Sequence, residues 1–247
     1  MKIGIVGAGN IGTAFAKGLI LSKIVDNCDI YATAKTERSM ERIKNELNVN
    51  VGTIEYVLEN ADIIVWALKS DDFYEIIRKD LYKTAIGKIN ISFMAKVSKV
   101  EFELIFKNGE CILAMPTIAM SDLKGITGYT QTKNEFVIKM FKALGTAVCV
   151  NEEGLQKIGI YAGCGLGFAA YILECYKEAG EMFGFSSKDA ENITIQSFLA
   201  AAKKGDFLKT IEQVATKGGL TEKGVDYLSK ENLTDLLYET IITAQQG

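Results

Sequence analysis

Three glycines, Gly7, Gly9 and Gly12, stand at GxGxxG spacing directly behind the apolar run Lys2-Ile3-Gly4-Ile5-Val6. Such spacing suits phosphate chemistry. Gly7 lets the chain leave a strand in a tight turn, Gly9 lets backbone approach a pyrophosphate with no Cβ between, and Gly12 lets a helix pack closely on the strand. The N–H groups at the helix start, around Asn10 and Ile11, then face the phosphate charge. A helical run from Thr13 to Leu21 follows without a loop. This strand, turn and helix context is what a dinucleotide fingerprint requires and a chance glycine pattern lacks.

The residues after the next strand choose between cofactors. Cys28-Asp29-Ile30-Tyr31-Ala32 reads as that strand, followed by Thr33-Ala34-Lys35-Thr36-Glu37-Arg38. An acid at this point would hold a ribose 2′-OH, whereas small polar and basic groups suit a 2′-phosphate. Thr33, Lys35 and Thr36 with no acid before Glu37 favour NADPH, with NADH the other cofactor such a site takes. Thr36 also fits a plain helix N-cap. Ala61 to Leu68 is an apolar strand ending at Lys69, which brings Ala67, Leu68 and Lys69 to the carboxyl-end crevice where ligands of such sheets bind.

Composition excludes several chemistries. The 247 residues contain no histidine, so a Ser-His-Asp hydrolase and a His-bound metal centre are both ruled out. Five scattered cysteines, never in CxxC spacing, predict reduced thiols without a zinc framework. A net charge of −3 and no interleaving of aromatic and basic residues give no footprint for nucleic acid. No run of 18 apolar residues is free of charge, and the N-terminus goes straight into a strand, so the expectation is a soluble, cytoplasmic protein with no membrane partner.

The elements that position these residues alternate. After Ser39 to Leu47 (helix) and Asn48 to Gly52 (short strand or loop), helices are expected at 73–81, 97–106 and 133–144. Strands are expected at 88–94, 111–116, 125–129 and 146–150, the second ending at the only proline, Pro116. Such alternation predicts a mostly parallel sheet of Rossmann type with helices on both faces. Beyond Asn151 no strand is convincing, and apolar residues recur at helical spacing, as in Ile172, Tyr176, Ala179 and Phe183. The fold class is therefore α/β with a dinucleotide-binding domain over 1–151 and an all-α domain over 152–247. Gly163-Cys164-Gly165-Leu166-Gly167 interrupts the helices, which predicts close packing there by a helix or a ligand.

In order and spacing, the whole chain resembles the pyrroline-5-carboxylate reductase family. The resemblance runs through GAGNIG, then Ala61-Asp62-Ile63-Ile64 leading to Ala67-Leu68-Lys69, then Met115-Pro116 and Glu152. It continues in Gly163-x-Gly165, Glu174, Ala179-Gly180, Gly184-Phe185 and Gly218-Gly219-x-Thr221. Departures fall at the site: the family's SPGGTT reads Thr216-Lys217-Gly218-Gly219-Leu220-Thr221, its GSGPAY reads Gly163 to Phe168, its MPN ends in Thr117, its KP reads Lys69-Ser70, its AAG reads Met94-Ala95-Lys96, and an asparagine before the AD step is Ile54.

The resemblance implies hydride transfer from NAD(P)H to the C=N carbon of 1-pyrroline-5-carboxylate, giving L-proline. It implies that Gly218, Gly219 and Leu220 cradle the substrate carboxylate with backbone N–H groups. Thr221 is the nearest thing to a catalytic residue, its hydroxyl bonding the substrate nitrogen. It also implies that the helical half pairs with a second copy in a homodimer. Two alternatives remain: another cyclic imine, with Lys217 meeting a second acidic group, or a non-catalytic relative that binds NADPH.

Overall fold

The computed structural model describes residues 1–246. The chain begins β1 (Ile3–Val6), α1 (Asn10–Leu21), β2 (Ile30–Thr33), α2 (Glu37–Leu47), β3 (Asn50–Val51), α3 (Ile54–Asn60), β4 (Ile63–Trp66), α4 (Ser70–Arg78) and β5 (Ile89–Ser92). Next come α5 (Lys99–Ile105), β6 (Glu110–Pro116), β7 (Gly125–Tyr129), α6 (Glu135–Ala143), β8 (Gly145–Cys149) and α7 (Glu152–Tyr161). The eight strands form one sheet in the order β3-β2-β1-β4-β5-β6-β7-β8. Every neighbouring pair is parallel except β6 with β7.

Strand pleat explains the core. Successive residues of a strand point to opposite faces, so β1 and β4 each feed two clusters. Ile3, Ile5, Ile63 and Val65 pack on one face with Phe15, Leu19 and Phe141. Val6, Ile64 and Trp66 pack on the other with Phe73, Phe102 and Phe106. Both faces are covered, which is why these strands read as unbroken apolar runs rather than alternating ones. Trp66 anchors the second face, with ring centres 5.4 Å from Phe73 and 5.1 Å from Phe106. Its Nε1–H donates to Asn90 Oδ1 at 2.9 Å, and the Asn90 amide donates to the Ala85 carbonyl at 2.9 Å. The one buried amide side chain of the sheet therefore has its partners.

Three local features differ from the sequence expectation. Residues Asn27–Asp29 form a short 3-10 turn, so β2 starts at Ile30. Residues 54–60, which carry no long periodic pattern, form a two-turn helix capped by the Thr53 side chain, with Val57 and Leu58 buried. Helix α7 packs against β6 and β7, with Leu155 and Ile158 seated on Gly128, and the first compact unit runs through Gly163. The texture change at Asn151 marks the end of the strands, while the packing break comes after α7.

The second unit begins at Cys164 and is helical among its described residues: α8 (Gly165–Met182), α9 (Ser187–Lys204), α10 (Phe207–Val214), α11 (Leu220–Lys230) and α12 (Leu233–Gln245). Ser186 caps α9 by accepting from Asp189 N–H, and Asp206 caps α10. Tyr176 of α8 meets Phe198 of α9 edge to face at 5.3 Å. Among the described residues of this unit only Ala190 and Thr194 are buried, while Met182 is 90% and Phe183 84% exposed. A Cβ at Gly165 or Gly167 would meet nothing, so within one chain the close packing expected at the glycine cluster occurs only at Gly163, against the Gly159 carbonyl.

Asn90→Ala is expected to lower the stability of the first unit by about 1–3 kcal/mol, since it strands the Trp66 Nε1–H in the core. The readout is the urea midpoint followed by emission of Trp66, the sole tryptophan; an unchanged midpoint would mean the network contributes nothing.

Candidate cofactor crevice and substrate loop

The strand order reverses direction at β1, with β2 on one side and β4 on the other. The carboxyl ends flanking such a switch point are where open α/β sheets bind ligands. The fingerprint glycines sit there. Gly7 has φ +102°, in the left-handed region, and a Cβ on it would collide with the Ala67 carbonyl at the end of β4. A Cβ on Gly12 would collide with the carbonyl of Gly7. Gly9 is different, because a Cβ there would meet no protein atom within 4 Å. Nothing in the protein demands glycine at 9, so the open space in front of it is the cradle that a pyrophosphate would fill, at the first-turn N–H groups of Asn10, Ile11 and Gly12.

Hydrogen bonds tie the neighbouring strand ends to this turn. The N–H groups of Gly7 and Ala8 both donate to the Thr33 carbonyl, at 3.1 and 2.8 Å, and Ala67 N–H donates to the Val6 carbonyl at 2.8 Å. Gly7, Thr33 and Lys35 thereby line one cavity of about 260 Å³, together with Ile54, Asp72 and Lys79. Thr36 is not among its lining residues. It caps α2, accepting from Ser39 N–H at 3.2 Å and donating to Ser39 Oγ at 2.9 Å. Lys35 Nζ lies 2.9 Å from Asp72 Oδ1, and that hydrogen bond and charge raise its pKa above the ordinary lysine value. A second cavity of about 410 Å³ at the β4 and β5 ends is lined by Leu68, Lys69, Asp71, Met94 and Lys96. A third, of about 250 Å³ at the β5 and β6 ends, is lined by Lys96, Ser98, Met115, Glu152 and Gln156. The cavities therefore follow one another along the carboxyl edge in strand order.

Ile54 stands at a position the resemblance puts near the site, whereas Asp72, Glu75 and Lys79 were not legible as site residues. They arrive from a helix that only the fold brings beside β2, although the acids directly after the β4 run, Asp71-Asp72, were a signal.

In the second unit, the loop 216–219 leads into α11. Gly218 has φ +75° and Gly219 is the N-cap residue, with no side-chain cap. Gly218 N–H donates to Glu222 Oε2 at 2.6 Å, and Gly219 N–H donates to the Thr216 carbonyl at 2.8 Å. Of the three N–H groups expected to cradle a carboxylate, the chain's own atoms thus hold two, leaving Leu220. Thr221 is exposed in the first turn, its hydroxyl without a protein partner among the described residues.

Known proteins resemble this chain in both halves. A model described as pyrroline-5-carboxylate reductase dimerisation matches residues 152–247. A model described as NADP oxidoreductase, coenzyme F420-dependent, matches residues 2–96. The pyrroline-5-carboxylate reductase of Aquifex aeolicus is 27% identical over 100% of this chain and 96% of its own length. That of Methanosarcina acetivorans is 25% identical over 99% and 96%. Along its whole length the chain is similar to pyrroline-5-carboxylate reductases, and its helical half matches their dimerisation model. Among solved structures, the Coxiella burnetii pyrroline-5-carboxylate reductase superposes with a TM-score of 0.89 at 24% identity, covering 99% of this chain and 96% of that one. The Plasmodium falciparum pyrroline carboxylate reductase, solved with NADP bound, gives 0.84 at 20%, covering 100% and 96%. Both share the fold.

The glycine geometry separates two variants. Gly9→Ala is expected to keep stability within about 1 kcal/mol, the usual cost of alanine at an N-cap, while weakening NADPH binding about tenfold or more by placing a methyl in the cradle. Gly12→Ala is expected to lose stability and binding together. Thermal melts beside a fluorescence titration of NADPH check both, and equal effects of the two variants would refute the distinction.

Proposed function

We propose that this chain is an NAD(P)H-dependent reductase of 1-pyrroline-5-carboxylate that yields L-proline, working as a homodimer in the cytoplasm. The carrying observation is that a dinucleotide crevice built around Gly7, Gly9 and Gly12 and a Gly-Gly-x-Thr loop opening α11 occur in one chain at the family's order and spacing. The nicotinamide, when bound, supplies the hydride for the imine carbon. That chemistry suits a protein with no histidine, because a protonated imine is already electrophilic and the side chains need only bind and orient.

Each residue then has a modest task. Gly9 clears the approach to the helix start, and Asn10, Ile11 and Gly12 direct N–H groups at the pyrophosphate. Thr33 and Lys35 meet the adenosine ribose, where the lysine supports NADPH. Ala67, Leu68 and Lys69 form the crevice wall further along the edge. Leu220 N–H receives the substrate carboxylate, and the free Thr221 hydroxyl bonds the substrate nitrogen. Five unpaired thiols fit a reducing compartment.

The apolar surface of the second unit supports pairing. Tyr171, Leu208 and Leu220 are 73%, 76% and 88% exposed. The helical stretch Glu152–Met182 is long and apolar enough, by length and composition, to cross a membrane. Its break at residues 162–164 and its place in the region matched by the dimerisation model favour burial against a second copy.

One observation favours a second reading. Glu222 already fills the N–H of Gly218 at 2.6 Å, so the loop also fits a cyclic imine that lacks a carboxylate.

Purified protein is expected to oxidise NADPH with 1-pyrroline-5-carboxylate, and Thr221→Ala to lower kcat/KM by about 10-fold or more, the loss of one hydrogen bond to the reacting nitrogen. Turnover of 1-pyrroline in preference to the carboxylated substrate, reversed by Glu222→Gln, would select the second reading. NADPH binding without any turnover would leave a non-catalytic relative. Light scattering is expected to give at least twice the 27.0 kDa of one chain; a stable monomer would refute the pairing.

A further inference from the structure

The cavity beside β2 carries its charges in pairs. Lys35 Nζ is 2.9 Å from Asp72 Oδ1, Lys79 Nζ is 2.6 Å from Glu75 Oε1, and all four residues line the space in front of Val6 and Gly7. The two members of the first pair are not equivalent. The Asp72 side chain is 32% exposed and sits in the first turn of α4, where the helix start favours a carboxylate, whereas Lys35 is 81% exposed on the loop after β2. Asp72 is the fixed member and Lys35 the adjustable one.

In the dinucleotide reading, on which this inference rests, Lys35 is the cation that meets a 2′-phosphate. A phosphate arriving there finds the lysine already bonded and a carboxylate beside it. A ribose 2′-hydroxyl, by contrast, needs an acceptor, which in NAD sites is an acid at the end of the second strand. This chain has none before Glu37, but Asp72 brings a carboxylate to the same cavity from α4. We propose that Asp72 sets the cofactor selectivity of this chain: it competes with a 2′-phosphate for Lys35 and offers a 2′-hydroxyl its acceptor, so that NADH is bound alongside NADPH. The glutamate next along the cavity, Glu75, bonds Lys79 and not Lys35, so it does not compete with a phosphate for that lysine.

The test is equilibrium binding of NADPH and NADH to the full chain without substrate, by nicotinamide fluorescence or calorimetry. Wild type is expected to bind the two within about tenfold of each other. Asp72→Asn is expected to tighten NADPH about three- to tenfold and to loosen NADH about two- to fivefold. Lys35→Ala is expected to weaken NADPH by a similar factor and to leave NADH within about twofold. An NADPH-to-NADH ratio unchanged in Asp72→Asn, or NADPH binding that weakens because the aspartate only orients the lysine, would overturn the proposal while leaving the cofactor reading intact. Failure of wild type to bind either nucleotide would overturn both.

Discussion

The close approach of backbone to backbone at the β1–α1 turn is the contact on which the rest of the first unit depends. Gly7 lies against the carbonyl of Ala67 and Gly12 against that of Gly7, with no room for a Cβ at either. That contact brings the end of β4 and the start of α1 to the same point as the end of β2, whose Thr33 carbonyl takes two N–H groups from the turn. Moving any of the three would open the sheet at its switch point. Gly9 stands in the middle of this crowding and touches nothing. A single stretch of six residues therefore sets two crowded glycines on either side of one with open space before it, the arrangement a bound pyrophosphate would need.

Charge around the crevice is arranged for recognition more than for stability. Lys35 with Asp72 and Lys79 with Glu75 are solvent-facing pairs, which add little to stability in water. The stability lies beneath them, in Trp66, Phe73, Phe102 and Phe106, each fully buried. Burial of side chains of this size stabilises by roughly 1.5–3 kcal/mol apiece. The aromatic layer holds α4 and α5 against the sheet, and α4 in turn carries Asp72 to the cavity. Packing on one face thus determines which charges reach the edge.

The helical unit follows a different logic. Its helices are 8 to 18 residues long and bury almost nothing within one chain. Helices of this length draw most of their stability from tertiary packing of an apolar face, and the faces of α8, α10 and α12 are largely bare. The match to a dimerisation model over 152–247 fits that incompleteness. The Gly-Gly-x-Thr loop at the start of α11 belongs to the same unit, so the proposed pairing would also steady its frame.

The sequence by itself determined the central strands, because both-face burial makes them unbroken apolar runs, and the fingerprint, because Gly7 and Gly12 answer local collisions and Gly9 keeps their spacing. It also determined the cap at Thr36, whose side chain bonds three residues ahead. Ile54–Asn60 escaped notice because two turns are too short to show a period. The break after Gly163 escaped because α7 reads as any helix and belongs to the sheet only through Leu155 and Ile158 on Gly128. What only the tertiary structure decided was charge pairing across distance: Asp72 beside Lys35, 37 residues apart. Also beyond the sequence was the filling of the Gly218 N–H by Glu222, where a side-chain rotamer and a left-handed glycine meet. Periodicity reports which face of an element is buried, and it carries no information about which surface groups two elements bring together.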